Sequence, residues 1–163
     1  MPVLKISSGA YLNPDALDQL ITDYLYRKAI AKGGAMTDPD YAAQQMHMVK
    51  EVWGKTDGKQ LHHFILIFSE WESARIQNAE ELLELGYHVC MIFGNRFQCV
   101  FAVHYDGRYH IHFVLNSVSY QTGEKFVHNI RDDLMLAEYI RSCCIPSTFG
   151  QRIGNRKIAV YYK

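Results

Sequence analysis

The most strongly patterned stretch of the chain runs from residue 97 to residue 126. Phe97–Val103 is a run of apolar, β-branched and aromatic residues, as in a buried strand, and Tyr109–Val118 alternates apolar and polar positions. Asp106-Gly107 lies between them and is a turn signal. The pattern therefore predicts a β-hairpin.

Apolar positions recur at helical spacing elsewhere in the chain. Asn13-Pro14 and Asp38-Pro39 each combine a capping residue with a proline suited to the first turn of a helix, and Gly33-Gly34 is expected to end the first helix. A third periodic stretch continues through Gly86, which is expected to mark close packing. The predicted helices cover residues 14–31, 39–53, 73–93 and 132–143, and Pro146 stops the last one.

Further strands are predicted on both sides of the hairpin. Leu61–Phe68 is dense in aliphatic and aromatic residues, as in a central strand, while Val3–Ser7 and Lys157–Tyr162 are shorter, the latter as an edge strand. Together these elements predict an α/β (α+β) fold with a mainly antiparallel central sheet and helices packed on it. At 163 residues the chain is expected to form a single domain, residues 1–163.

Composition narrows the class of protein. The chain is 48% apolar and 13% aromatic, which is typical of a folded protein rather than a disordered one. It contains no apolar run of the roughly 20 residues that a membrane span needs, and Met1–Gly9 lacks the apolar core of a signal peptide. We therefore expect a cytoplasmic protein. The four cysteines lack metal-binding spacing and are interpreted as reduced packing residues: Cys90, Cys99, Cys143 and Cys144.

The charge balance bears on nucleic-acid binding. A formal net charge of +0 lacks the basic excess that phosphate binding usually brings. Basic residues nevertheless cluster locally, near the end of the first helix, near the C-terminus and beside the hairpin: Arg27, Lys28, Lys32; Arg152, Arg156, Lys157; Arg108, Lys125. Each cluster is either a patch for phosphates or an ordinary solvated edge.

The hairpin carries three histidines suited to metal binding. His110 and His112 are two residues apart on one strand, so they point to the same face. His104 joins that face if three residues form the loop, because it then pairs with His110, and points away if the loop has two. A β-bulge would also turn the His104 side chain to the face of His110 and His112. Three neutral imidazoles leave coordination positions open for a substrate oxygen, which favours a catalytic ion over a structural one.

These residues resemble a known motif. His104-Tyr-Asp106, His110-Ile-His112 and the following Val114–Val118 and Thr122–Phe126 are similar to the metal-site motif of MobA/MobL-type relaxases, nucleases of the HUH superfamily that mobilise plasmids and conjugative elements. In that family the first and second histidines are often one residue further apart. The resemblance covers nearly the whole chain and implies an HUH-endonuclease-like relaxase fold.

The same resemblance assigns a nucleophile. Leu20-Ile-Thr-Asp-Tyr24-Leu is similar to the family segment that carries the nucleophilic tyrosine, so Tyr24 is expected to take that role, with Tyr26 in reserve. The family's usual continuation is missing after Tyr24. Packing of an amphipathic helix is the other interpretation of either tyrosine.

Other polar residues are expected around this centre. His63, before the apolar part of its strand, matches a histidine that lies near the active site in the family, and it is expected to contact the substrate. Asn116 shares the strand face of His112. Asn116 either orients substrate or bonds within the sheet. Asp106 either accepts a bond from a ligand imidazole and helps the reaction or serves the turn. Arg108 and Lys125 are expected to contact substrate phosphates.

The resemblance implies transesterification of single-stranded DNA at an origin of transfer, with a 5′-phosphotyrosine intermediate. A phenol has an ordinary pKa near 10, so the reaction would need a nearby divalent ion or base. Oxygen-rich substrates favour Mg²⁺ or Mn²⁺, although three imidazoles also suit a softer ion. Accessory relaxosome proteins and a coupling protein are the expected partners. The alternatives are a phosphodiesterase that uses water and a non-catalytic nucleic-acid-binding domain.

Overall fold

The computed structural model describes residues 2–144 and 159–162, and its centre is a six-stranded sheet. Its strands are β1 Val3–Ile6, β2 Ala31–Ala35, β3 Leu61–Ile67, β4 Cys99–Tyr105, β5 Tyr109–Asn116 and β6 Ala159–Tyr162. They lie in the order β2-β4-β5-β3-β1-β6. All neighbours are antiparallel except β1 and β6. The mainly antiparallel sheet predicted from the sequence is confirmed.

The helices pack on this sheet, and their bounds differ in part from the predicted ones. The first helical segment consists of α1 Ala16–Asp18, a π-helix Gln19–Leu25 and a 3₁₀ turn Tyr26–Lys28. The other helices are α2 Ala42–Val52, α3 Glu70–Ser73, α4 Ala79–Gly94 and α5 Ile130–Cys144, and a 3₁₀ turn Pro39–Tyr41 precedes α2. The second and fourth predicted helices are thus confirmed.

The prediction that the first helix reaches residue 31 is wrong. The helical segment ends at Lys28, and Gly33-Gly34 lie inside the edge strand β2 instead of ending a helix. β4 is almost wholly buried, and β2 satisfies the hydrogen bonds of its outer edge. A glycine is also required at residue 33, because an added Cβ would lie 2.6 Å from the ring of Phe101.

The third predicted helix, residues 73–93, begins six residues later than expected, at Ala79, and a separate short helix, α3, precedes it. Ser69 forms a capping box with Glu72 that starts α3, and Asn78 accepts a hydrogen bond from the amide of Glu81 at the start of α4. Each helix thus has its own cap, and residues 74–78 between them are not helical, although the periodicity predicted a helix from residue 73. Gly86 does mark close packing, since a Cβ there would lie 2.4 Å from the ring of Phe101.

The two faces of the sheet carry different cores. One face packs aromatic and aliphatic side chains, among them Phe64, Phe101 and Phe113, against α4 and α5. The other packs Val100, Ala102 and Val114 of the sheet against the first helical segment and α2, with Leu17, Ile21, Leu25 and Met46. The second core covers only part of its face, and the histidines lie on the part that it leaves uncovered.

Some of the sequence predictions fall outside the described residues. Pro146, Lys157 and the basic cluster of Arg152 and Arg156 lie there, as do the side chains of Cys143 and Cys144. The other two cysteines, Cys90 and Cys99, are buried free thiols whose sulfurs are 3.1 Å apart. Across residues 2–144 and 159–162, no helix has the length and apolar character needed to cross a bilayer.

Candidate active site

The register of the hairpin decides whether the three histidines share a face. His104 pairs with His110, and Tyr105 pairs with Tyr109, so the loop has three residues, Asp106 to Arg108. Gly107 has φ +93°, a conformation that favours glycine. Since directly paired residues of an antiparallel ladder point the same way, His104 joins His110 and His112 on one face. The loop therefore has the three residues that the sequence analysis required for His104 to share a face with His110 and His112.

The three imidazoles form a compact cluster. One nitrogen from each of His104, His110 and His112 lies within 4.8 Å of the corresponding nitrogens of the other two. The ring of His104 is centred 4.7 Å from that of His112 and 5.3 Å from that of His110. Such a cluster can hold one metal ion.

Each imidazole also has one nitrogen occupied by the protein. His104 Nε2 donates to the carbonyl of Leu25 at 2.6 Å, and His112 Nδ1 lies 3.0 Å from His63 Nε2. His110 Nδ1 lies 3.5 Å from the Asp106 carboxylate and 3.4 Å from the carbonyl of Arg108. Metal-binding histidines are held in this way, with the second nitrogen fixing the ring. The other nitrogen of each ring is left for a ligand, and His112 Nε2 is buried without a hydrogen-bond partner among the described residues.

The surroundings keep the central imidazoles neutral. Burial, reinforced by the neighbouring histidines, lowers the pKa of His112 to about 2. Burial also lowers the pKa of His104, although its bond to the Leu25 carbonyl acts in the opposite direction. A neutral imidazole is the form that binds metal. The residues therefore fit a divalent ion.

Tyr24 faces this cluster. Its ring centre lies 5.5 Å from that of His112 and 6.4 Å from that of His104. The tyrosine is carried by the π-helix Gln19–Leu25, a rare geometry that often marks functional sites. Leu17, Ile21 and Leu25 fix the first helical segment to the sheet, while Tyr24 stays 55% exposed.

Tyr26 lies in a different environment. Its hydroxyl is buried and has no hydrogen-bond partner among the described residues, and its ring lies under the ammonium of Lys32. Burial, followed by the charge of Asp40, raises the pKa of Tyr26 well above that of an ordinary phenol. Of the two tyrosines suggested by the sequence, only Tyr24 is near the histidines and open to solvent.

Two clefts lie on either side of Tyr24. One has a volume of about 310 Å³ and runs past His104 and His110, with Arg27 and Lys28 in its wall. The other, of about 400 Å³, runs past His63 and Tyr11 and includes Lys5. Each cleft thus offers cations beside the tyrosine.

His63 lies at the edge of the cluster. Its ring stacks on that of His112 with a centroid distance of 5.2 Å, and its Nδ1 lies 3.2 Å from the hydroxyl of Tyr11. The side chain lines the second cleft but is only 7% exposed, and both of its nitrogens have partners within the protein. Its predicted place near the active site agrees with this geometry, while a contact with substrate stays a prediction.

The structure does not bring Asn116 or Lys125 to the histidines. Asn116 lies four residues from His112, about 13 Å along the strand, and is fully buried, donating to the Met46 carbonyl and to Gln98 Oε1. The Asn116 side chain therefore bonds to helix α2 and to the residue before β4, and not within the sheet as the second expectation had it. Lys125 donates to the carbonyl of Asp57, near the same end of β5. Arg108 is exposed in the hairpin turn beside Asp106.

Sequence reasoning missed three contributors to the site: Tyr11, Ser7 and the carbonyl of Leu25. A signal existed for the contact between His63 and His112. Phe64 and Phe113 occupy the aromatic face, so His63 and His112, one residue before each, must point to the other face. The missing information was that β3 lies next to β5, which brings the two histidines into diagonal contact.

Comparison with known proteins finds similarity to relaxases, both in a family model and in individual proteins. Residues 11–146 match the family model described as relaxase, MobA/VirD2-like, nuclease domain. The chain is 31% identical over 123 residues to a Staphylococcus aureus protein named Rlx, covering 74% of this chain and 38% of that protein. A second S. aureus protein of the same name is 31% identical over 108 residues, 66% of this chain and 32% of the relative. The chain therefore spans about a third of the length of these relatives. No solved structure gives a significant match.

Proposed function

Because the chain belongs to the family of MobA/VirD2-like relaxase nuclease domains, we propose that it nicks single-stranded DNA at an origin of transfer for conjugative mobilisation. In this proposal Tyr24 is the nucleophile and a divalent ion held by His104, His110 and His112 assists it. The observation that carries the proposal is the exposed ring of Tyr24 at 5.5 Å from the ring of His112.

The reaction is a transesterification. The Tyr24 oxygen attacks the scissile phosphorus, a bond forms between them, and the bond from phosphorus to the 3′ oxygen breaks. The phenol gives up its proton and the departing 3′ oxygen takes one, so the products are a 5′-phosphotyrosine and a free 3′-OH. A bound divalent ion would supply positive charge to a non-bridging phosphate oxygen, and Mg²⁺ or Mn²⁺ suits that oxygen-rich substrate.

The chain's own residues have separate tasks in this scheme. Hydrogen bonds to Leu25, to His63 and in the hairpin turn orient the three imidazoles, and Asp106 acts through His110. Arg27 and Lys28 on one side of Tyr24, and Lys5 on the other, are suited to the backbone phosphates that flank the scissile one. A locally cationic path of this kind is compatible with the formal net charge of +0.

The first helical segment delivers Tyr24 without rearrangement. Leu17, Ile21 and Leu25 are buried against the sheet, and the Leu25 carbonyl accepts the bond from His104. This contact supports a nucleophile that is positioned before DNA binds, which would reduce the entropic cost of reaching the attack geometry.

The test compares Tyr24→Phe with Tyr26→Phe. Each protein is incubated with Mn²⁺ and a single-stranded oligonucleotide that contains the transfer origin of its own element. The covalent adduct is measured on a denaturing gel, and free cleavage products are measured beside it. We expect Tyr24→Phe to form no adduct and no product, and Tyr26→Phe to retain both.

The other outcomes separate the remaining possibilities. Cleavage by Tyr24→Phe without an adduct would indicate a phosphodiesterase that uses water. Binding of the oligonucleotide by the wild type without cleavage would indicate a non-catalytic nucleic-acid-binding domain. A cytoplasmic location, accessory relaxosome proteins and a coupling protein stay predictions, and pull-down with the full relaxosome components would test the partners.

A further inference from the structure

The two nitrogens of His112 have different surroundings. Nδ1 lies 3.0 Å from His63 Nε2, and Nε2 is buried without a partner among the described residues. A neutral imidazole carries its single proton on one nitrogen and offers a lone pair on the other. Only the tautomer with the proton on Nδ1 leaves Nε2 able to bind a metal ion.

The other two histidines do not have this ambiguity. His104 Nε2 faces the carbonyl of Leu25, and His110 Nδ1 faces the Asp106 carboxylate and the carbonyl of Arg108. These oxygens can only accept hydrogen bonds, so they fix the proton on the nitrogen that faces them. His63, in contrast, is itself an imidazole and can donate to His112 or accept from it.

The partner of His63 can resolve the ambiguity. His63 Nδ1 lies 3.2 Å from the hydroxyl of Tyr11, and that hydroxyl lies 2.8 Å from Ser7 Oγ. If the Tyr11 hydroxyl donates to Ser7, its lone pair accepts the proton of His63 Nδ1. His63 Nε2 then has a lone pair for the proton on His112 Nδ1, and every bond in the chain is made in one direction.

We propose that His63 is a positioning residue that holds His112 in its metal-binding tautomer, and that the hydroxyls of Tyr11 and Ser7 hold His63 in turn. The proposal rests on the proposed metal site. It assigns His63 a role through His112 rather than through the substrate.

The local structure is built to bring Tyr11 to this position. Tyr11 has φ +46°, a left-handed conformation that costs free energy in a residue other than glycine. Its ring lies so close to Gly9 that an added Cβ there would be 2.6 Å from it. Ser7 is held by a backbone bond from its amide to the carbonyl of His63 at 3.0 Å. The segment 7–11 thus keeps both hydroxyls beside His63.

Three variants separate hydrogen bonding from packing. His63→Phe keeps a ring to stack on His112 but removes both nitrogens. His63→Gln keeps an oxygen that can accept from His112 Nδ1. Tyr11→Phe keeps the ring beside Gly9 and removes only the hydroxyl that faces His63.

Two measurements are made on each variant. Mn²⁺ affinity is measured by titration of the metal-free protein without DNA, and the tautomer of His112 is measured from ¹H–¹⁵N correlations of its ring. Loss of a partner that orients a metal ligand typically lowers affinity 10- to 100-fold. We expect that loss in His63→Phe, a smaller loss in His63→Gln and in Tyr11→Phe, and a single Nδ1–H tautomer of His112 in the wild type that is lost in His63→Phe.

The result that would overturn the proposal is a His63→Phe protein with the affinity and the His112 tautomer of the wild type. If His63→Phe does not fold, the proposal is overturned instead by a Tyr11→Phe protein that keeps the Mn²⁺ affinity and the His112 tautomer of the wild type. His112→Ala distinguishes this failure from failure of the metal site. If His112→Ala binds Mn²⁺ as the wild type does, the three-histidine site itself is wrong.

Discussion

The two faces of the sheet have different roles: one carries the aromatic core that stabilises the fold, and the other carries the histidine cluster. Adjacent residues of one strand belong to the two faces in turn. Phe113 points into the aromatic core and stacks on Phe64 with ring centres 4.8 Å apart, whereas His112 points into the histidine cluster. One face is closed by two long helices, and the other is only partly covered by the first helical segment and α2. A strand that is buried on one face can therefore present reactive side chains on the other without losing its place in the fold.

The largest effect on stability is expected on the aromatic face. Phe113→Ala removes a fully buried ring and leaves a cavity, which typically costs about 3–5 kcal/mol of unfolding free energy. His110→Ala on the same strand removes a partly exposed side chain, and we expect a loss of less than about 1 kcal/mol. Urea unfolding of the metal-free proteins measures both. Equal losses would contradict the division between the faces.

The next effect concerns metal binding and tests the other face. His112→Ala removes one of three ligands, and we expect Mn²⁺ affinity to fall at least about 100-fold, with loss of DNA cleavage. His88→Ala is the matched control, because His88 is an exposed histidine of α4 outside the cluster. Calorimetric titration gives the affinities. Unchanged affinity in His112→Ala, or an equal loss in both variants, would contradict the site.

The smallest effect is the change that removing one histidine makes in the dependence of stability on pH. Burial lowers the pKa of His63 to about 4, of His62 to about 3 and of His112 to about 2. The unfolded chain therefore binds more protons than the folded one below about pH 6.5. The free energy of unfolding decreases as the pH is lowered, by up to about 1.4 kcal/mol per pH unit for each such histidine.

Unfolding of the metal-free protein by urea between pH 6.5 and 5 measures this slope. His112→Ala should have a shallower slope than the wild type, because one buried histidine is gone. The same slope in both proteins would mean that His112 is protonated in the folded state as readily as in the unfolded one.

The sequence predicts the histidine cluster well because the cluster depends on local rules. Side chains alternate between the faces of a strand, so His110 and His112 lie on the same face. The three-residue loop pairs His104 with His110 and so puts His104 on that face too. The aromatic core follows from the same alternation, since Phe101 and Phe113 point to one face of the sheet while Ala102 and His112 point to the other. These features need only the register of one hairpin.

Features that depend on neighbours distant in sequence could not be predicted. β2 contains Gly33-Gly34, which has a weak intrinsic preference for strands. It forms because it pairs with the outer edge of the buried strand β4, and because the ring of Phe101 leaves room only for glycine at residue 33. The π-helix that carries Tyr24 has no signal in the helical periodicity. The contact of His63 with His112 and Tyr11 requires the order of strands and the path of the segment before the first helix.

The most direct test of the proposed chemistry is the identity of the residue that becomes attached to DNA. The wild type is incubated with Mn²⁺ and the transfer-origin oligonucleotide, digested with trypsin, and its peptides are sequenced by mass spectrometry. The peptide between Lys5 and Arg27 contains Tyr11, Tyr24 and Tyr26, so fragment ions distinguish them. We expect the 5′-phosphate on Tyr24, and a phosphate on Tyr26 or Tyr11, or cleavage with no tyrosine modified, would contradict the assignment.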